Sequence, residues 1–209
     1  MLRKKHSDIN EEATPPDHGD RRVRADAQRN MDALLEAAKA VFISSGVDAP
    51  VREIAEKAGV GVGTLYRHFP NRSDLVAAIF RREVDACAAA STCLGRQFEP
   101  DVALGCWLHR YTEFIATKRG LAAALHSGDP AFASLHEYFR ENLEPALKAR
   151  LDAAIQAGQV RADITPFDLL LAVGKLCITI YQEDANHIRQ MVDLLMDGMR
   201  YGAKRTANE

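Results

Sequence analysis

The side chains best suited to chemistry lie in one glycine-rich stretch in the first third of the chain. Residues 59–72 read GVGVGTLYRHFPNR, three glycines at alternate positions followed by hydroxyl, guanidinium and imidazole groups. Groups of these types donate hydrogen bonds to phosphates, sugars and base edges. Because glycine destabilises a helix, we expect its repeated use here to serve another purpose, such as a close approach of the backbone to a partner.

Two short helices would position these side chains. The first is predicted over 50–57, ended by Gly59, and the second over 62–68. Two short helices joined by a glycine-containing turn are typical of a helix-turn-helix, whose second helix lies in the DNA major groove. Gly61 and Gly63 would then let the backbone approach the nucleic acid. The spacing alone fits a glycine-rich loop between two ordinary helices equally well.

The rest of the chain is also predicted to be helical. Apolar residues recur with a period of three to four, and no strand pattern or internal repeat is present. Two long helices are predicted over about 25–45 and 73–93, and two more include 104–115 and 135–155. The next helix begins with an N-cap at Thr165, and the last one includes 188–199. A bend is expected at Glu144-Pro145. The fold class is therefore all-α, with about nine helices in total.

Composition excludes several classes of protein. The chain has 209 residues, of which 47% are hydrophobic, so it can bury a core. No apolar run is long enough to cross a membrane and the N-terminus lacks a signal sequence, so we expect a cytoplasmic protein with no membrane partner. Its four cysteines form no CxxC pair and are interpreted as reduced core thiols. Residues 1–20 are interpreted as a disordered N-terminal tail.

Charge is distributed unevenly along the chain. Residues 21–72 hold nine Lys and Arg against six Asp and Glu, while residues 73–209 hold fifteen against eighteen. A polyanionic partner would therefore be met by the first segment rather than the second.

The region from Arg24 to about Cys87 resembles the N-terminal DNA-binding domain of the tetracycline-repressor (TetR) family. The similarity is carried by a helix stripe ending at Phe42 and Gly46, by REIAEKAGV over 52–60, and by GTLYRHFPNRSDL over 63–75. The resemblance implies a three-helix helix-turn-helix DNA-binding domain over 21–72. It also implies a helical ligand-binding and dimerisation domain over 73–209.

The resemblance also implies which residues contact a double-stranded DNA operator. They are Arg24, Arg52, Val62, Gly63, Thr64, Tyr66, Arg67, His68 and Arg72. Arg72 would hold a phosphate, and Arg52 is suited to a guanine edge. Many members have Ser or Thr at the position of Pro50 and a polar residue at that of Val62. Base reading here would thus depend more on apolar contacts with thymine methyls. The basic flank that includes Arg24 would extend as an arm onto DNA or would simply be solvated.

A homodimer and a small-molecule effector follow from the same resemblance. The segment FDLLLAVGKLCITIY over 167–181 is apolar nearly all round, as in a helix buried between its own core and a partner, although a central helix of a monomer has the same pattern. The predicted interface residues are Leu170, Val173, Cys177, Tyr181, Met191 and Leu195. Candidate pocket residues for a largely apolar or aromatic ligand are Trp107, Tyr111, Phe114, His126, Phe132, His136 and Phe139, although core packing explains each of them better.

The predicted function is that of a homodimeric DNA-binding transcriptional regulator, a repressor released from a palindromic operator by its ligand. No GxSxG, HExxH or phosphate-binding loop is present, so we expect no enzyme and no cofactor. Cys106 and His109 could share a metal with His126 or His136, but no second ligand is placed by sequence, and we expect no metal. The alternative is a helical protein-interaction module without sequence-specific DNA binding, which leaves the polar stretch from Gly59 to Arg72 without a purpose.

Overall fold

The computed structural model describes the backbone of residues 18–179 and 185–206, and the side chains of residues 28–177 and 186–203. Within these ranges the chain is all-α, with no strand, as predicted. The helices are α1 (His18–Ser45), α2 (Val51–Ala58), α3 (Val62–His68), α4 (Arg72–Gln97), α5 (Pro100–Gly120), α6 (Ala122–Leu125), α7 (Leu135–Gln156), α8 (Pro166–Thr179) and α9 (Ala185–Thr206). A short 3-10 turn, Pro130–Phe132, precedes α7.

Local sequence signals determine where several helices begin and end. Gly46 ends α1 with φ 82°, a left-handed conformation that costs glycine little. At the start of α4 the backbone N–H of Asn71 donates to Asp74 Oδ2 at 3.2 Å. Thr165 caps α8 as predicted, since the N–H of Asp168 donates to its Oγ1 at 3.2 Å.

Two boundaries differ from the prediction. Helix α1 begins at His18 rather than near residue 25, so residues 18–20 belong to a helix and not to a disordered tail. Residues 1–17 lie outside the described part of the chain. Helix α4 continues to Gln97, past the predicted end. Pro145, where a bend is predicted, lies inside the continuous helix α7.

Helix α4 lies at the centre of the fold. It packs against α7 and α5 and, at its N-terminal half, against α1. The indole Nε1 of Trp107 in α5 donates to the carbonyl of Cys87 at 2.9 Å, and Ser91 Oγ donates to the carbonyl of Ala146 in α7 at 2.7 Å. Satisfied hydrogen bonds of this kind fix the register of three packed helices.

The cysteine prediction is correct for two positions. Cys87 and Cys177 are buried, and burial raises the pKa of the Cys87 thiol to about 12, which keeps it protonated at neutral pH. Cys106 is partly buried and Cys93 is exposed, because Cys93 lies on the solvent side of α4 rather than in the core. All four are free thiols. None of the described helices has an apolar stretch of the length needed to span a membrane.

Truncating a core leucine of α5 tests how tightly the central helices are packed. Leu108 has no exposed surface, so Leu108→Ala should lower the free energy of unfolding by about 2–5 kcal/mol. Val102 lies on the exposed side of the same helix, so Val102→Ala should change it by less than about 0.5 kcal/mol. Urea denaturation at one protein concentration measures both; equal losses would mean that α5 is not packed as described.

Candidate nucleic-acid interface

A glycine turn sets the angle between α2 and α3. Gly59 follows α2 with φ 68°, and its backbone N–H and that of Val60 donate to carbonyls of the last turn of α2. This left-handed arrangement closes the carboxyl end of α2 and redirects the chain. Gly61 then caps α3 with extended backbone and no side-chain bond. A side chain at position 59 would strain this turn, so the fold itself requires glycine there.

One side of α3 anchors it and the other faces solvent. Leu65 and the following Phe69 are buried against α1 and α2, as the core contacts of a short helix require. The other predicted contact residues of this helix are all exposed: Val62, Gly63, Thr64, Tyr66, Arg67 and His68. The structure therefore leaves Gly63 and five side chains of this short helix accessible, and we call these six residues the α3 surface.

Gly63 is not needed for folding. It lies inside α3 with ordinary helical backbone, and a Cβ placed on it would meet no atom within 4 Å. Glycine in a helix costs about 0.5–1 kcal/mol relative to alanine. Gly63 therefore lowers the stability of α3 although the packing of the chain does not require glycine at this position.

The basic residues near the α3 surface differ in what they contact. Arg52 on α2 and Arg67 on α3 are exposed, and neither forms an ion pair with any residue that the structure describes. The side chain of Arg24 lies outside the described side chains, and so do those of its basic neighbours. Two exposed guanidinium groups thus remain available for an anionic partner.

Arg72, which was predicted to hold a phosphate, makes hydrogen bonds within its own chain. Its Nη1 donates to the backbone carbonyls of Val47 and Ala49, the latter at 2.8 Å, so it ties the start of α4 to the loop between α1 and α2. Those carbonyls follow a helix end and would otherwise lack donors. This contact could not be predicted from sequence patterns, because Arg72 and the two carbonyls lie more than twenty residues apart in the chain.

The predicted pocket residues form packed core more than a cavity. Trp107, Tyr111 and Phe114 are buried and stacked along α5, and Phe139 of α7 packs against the last two with ring centroids 6.3 and 5.8 Å away. Burial raises the pKa of the Tyr111 hydroxyl above its usual range, and that hydroxyl donates to the carbonyl of Leu170. This cluster is satisfied within the chain.

The remaining three pocket candidates do not converge. Phe132 lines an open cleft of about 330 Å³ near Arg72, whereas His136 lines another of about 550 Å³ on the outer side of α7. His126 Nδ1 lies 2.8 Å from the carbonyl of Ala122 in its own turn. Among the described residues no group of three His, Cys, Asp or Glu side chains is placed to hold a metal ion.

Three of the predicted interface residues on α8 are buried within their own chain. Leu170, Val173 and Cys177 are buried in their own chain, so they cannot also cover a partner. Tyr181 lies outside the described residues. The exposed face of α8 instead carries Phe167 and Leu171. Periodicity could not choose between the faces, because this helix is apolar nearly all round.

The two predicted residues on α9 lie at an apolar groove. Met191 and Leu195 line an open cleft of about 410 Å³ between α8 and α9, together with Leu176, Leu194, Gly198 and Met199. Leu194 is 64% exposed. Phe167, Leu171 and Leu194 are exposed but are not among the residues predicted for the interface, although the first two have the i, i+4 spacing of one helix face.

Comparison with known proteins gives matches along most of the chain. Residues 34–79 match the family model described as bacterial regulatory proteins, tetR family, and residues 99–201 match the SbtR-like transcriptional regulator C-terminal domain. An HTH-type transcriptional regulator of Staphylococcus aureus (strain USA300) is 39% identical over 64 residues, which is 30% of this chain and 35% of that protein. The chain therefore matches only about a third of the length of this curated relative.

Solved structures match over much more of the chain. A TetR transcriptional regulator from Streptomyces coelicolor is 35% identical with a TM-score of 0.72, covering 81% of this chain and 97% of that one. A TetR transcription regulatory protein from Mycobacterium vanbaalenii is 31% identical with a TM-score of 0.65, covering 85% and 99%. With both family models and these near full-length structures in agreement, the chain belongs to the TetR family of helix-turn-helix transcriptional regulators, which are not enzymes.

Proposed function

We propose that this protein acts as a homodimeric repressor, with the α3 surface of each protomer in the major groove of a palindromic operator. The observation that carries the proposal is Gly63, an exposed helical glycine that the fold does not need. Without a Cβ, the first turn of α3 can approach phosphates and base edges closely. Thr64, Tyr66 and His68, all exposed on α3, supply hydrogen-bond donors, and Arg52 and Arg67 supply charge.

Dimerisation supports the same proposal through α8 and α9. The largely apolar groove between them, lined by the exposed Leu194, and the exposed Leu171 on α8 together leave apolar surface that a partner could cover. Gly198 lies in the groove, and a Cβ there would meet nothing within 4 Å, so a partner helix can approach closely. A two-fold axis through this surface would pair α8 and α9 with their copies and present two α3 surfaces about one helical turn of DNA apart.

Release by an effector is the regulatory half of the proposal. Ligand binding among the middle helices would favour one arrangement of α4, and α4 carries the DNA-binding domain at its N-terminal end. The ligand shifts DNA affinity only by the difference between its own affinities for the two arrangements. The aromatic cluster around Tyr111 would have to open to admit a largely apolar ligand, since its rings now contact one another.

A protein-interaction module is the competing function. It would use the apolar groove between α8 and α9 and would have no need of an exposed glycine and guanidinium groups around α3. Selection of bound duplexes from a random DNA pool decides between the two: a palindromic consensus supports the regulator, and no enrichment at moderate salt from folded, ligand-free protein supports the module.

Replacing Gly63 separates folding from DNA binding. Gly63→Ala should leave the free energy of unfolding unchanged or raise it by up to about 1 kcal/mol. The same change should weaken binding to the selected duplex by about 1–3 kcal/mol, because the added Cβ lies where the backbone approaches DNA. Thermal unfolding and fluorescence anisotropy measure the two quantities.

Gly59→Ala is the matched control for Gly63→Ala. It places a Cβ on left-handed backbone and should cost about 1–2 kcal/mol of stability. Unchanged DNA affinity in a folded Gly63→Ala protein would contradict the proposed docking of α3.

Removing the Arg67 guanidinium tests its electrostatic role. If Arg67 neutralises one phosphate, Arg67→Ala should reduce the slope of log affinity against log salt concentration by about one. Arg96, exposed near the carboxyl end of α4, gives the matched loss of charge away from α3, and Arg96→Ala should leave the slope unchanged. Equal slopes for all three proteins would remove Arg67 from the interface.

A charge placed in the apolar groove tests the dimer. Leu194→Arg should give a monomer at micromolar concentration, because an unpaired charge in an apolar interface is strongly unfavourable. Ala89→Arg, on the exposed side of α4, is the control and should remain dimeric. Light scattering measures the mass, and a dimeric Leu194→Arg protein would show that this groove is not the interface.

A further inference from the structure

A buried carboxylate joins the DNA-binding end of the molecule to its body. Glu83 lies on α4 with only 5% of its side chain exposed. Its Oε2 is 3.1 Å from Lys39 Nζ on α1 and 3.6 Å from Arg110 Nη2 on α5. One carboxylate therefore pairs with cations from two helices, of which α1 belongs to the DNA-binding domain and α5 to the body.

More exposed charges surround this carboxylate. Glu36 on α1 pairs with Arg82 of α4 at 3.0 Å and with Lys39 at 3.8 Å, while Arg110 also pairs with Glu113 on its own helix at 3.2 Å. Glu83 Oε2 makes no hydrogen bond to any described residue, so charge rather than bond direction holds it. A buried ionised group costs stability unless its partners stay close, so the pairing resists separation of α1 from α5.

A direct contact between α1 and α5 lies about one turn further along α1 and nearly three turns further along α5. A Cβ on Gly120, at the end of α5, would be 3.1 Å from Ile43 Cγ1 and 3.4 Å from Ile43 Cα on α1. A side chain at this position would require Ile43 to move by a few tenths of an ångström, so glycine favours the close approach of α1. The DNA-binding domain therefore contacts the body at two points besides its covalent continuation into α4: directly on α5 at Gly120, and through Glu83 of α4, which also pairs with Arg110 of α5.

We propose that Glu83 is a positioning residue that fixes the orientation of the DNA-binding domain on the body. In the dimer proposed above, on which this inference rests, that orientation sets the distance between the two α3 surfaces. Pairing of Glu83 with Lys39 and Arg110 then makes the dimer selective for one half-site spacing. Loss of the pairing leaves each α3 surface intact but lets the domains adopt several orientations.

The test compares two duplexes that contain the same half-sites. One is the palindrome selected by the wild-type protein, and the other has one base pair inserted at its centre. Glu83→Gln, nearly identical in shape, should lower the ratio of the two affinities by about 3- to 10-fold. Affinity for a single half-site should stay within about twofold of wild type, because no residue of the α3 surface has changed.

Glu113→Gln is the matched control. It removes the same charge from the same network, but Glu113 is 61% exposed and its ion pair with Arg110 lies within α5. Its affinity ratio should equal that of the wild-type protein. Lys39→Gln removes the α1 end of the pairing and should lower the ratio as Glu83→Gln does, which keeps the test valid if Glu83→Gln does not fold.

The outcomes separate this inference from the proposed function. Wild-type protein that binds no palindrome contradicts the proposed function itself. Wild-type protein that discriminates between the two spacings, with Glu83→Gln and Lys39→Gln discriminating equally well, overturns the positioning role alone. A uniform loss of affinity for both duplexes and the half-site, with the ratio kept, also overturns it, because that is the effect of simple destabilisation.

Discussion

Burial of α4 along most of its length is the interaction on which the rest of the structure depends. Its N-terminal half packs Leu75, Ile79 and Phe80 into the core, and its later turns bury Cys87 and Ser91 between α5 and α7. The apolar core is continuous from Leu34 in α1 to α9. Because α4 packs on α1 as well as on α5 and α7, a displacement of α4 in the body also moves the packing of α1.

Sequence patterns predicted helix boundaries well where helix-breaking residues, such as glycine and proline, lie directly at the boundary. Helix α3 begins and ends as predicted because Gly61 and the Phe69-Pro70 pair interrupt the helical backbone on either side. The start of α1 was missed because residues 18–24 are polar and their helix carries no apolar stripe there. An extended polar helix and a solvated coil have similar composition, so periodicity could not separate them.

The exposed residues of the candidate DNA interface were predictable for a different reason from the buried ones. On a seven-residue helix anchored by Leu65, every position off that single anchor must face solvent, so the α3 surface follows from the sequence. The roles of Arg72 and Glu83 did not follow, since a long charged side chain takes its direction from tertiary neighbours. The interface residues on α8 failed likewise, because a helix with apolar residues on all sides gives no period to read.

Two kinds of glycine in this chain show how folding and function use the same residue. The fold favours glycine at two of these positions: Gly59 has a positive φ, and Gly120 lies close to Ile43. Gly63 has neither a positive φ nor a close neighbour, and glycine at this position makes α3 less stable than alanine would. When a residue lowers helix stability and the fold does not require it, a role in binding is the simplest physical explanation. By the same reasoning, burying the Glu83 carboxylate between two cations costs desolvation free energy that an apolar residue at this position would not. What the ion pairs contribute is a fixed orientation of α1 rather than added stability.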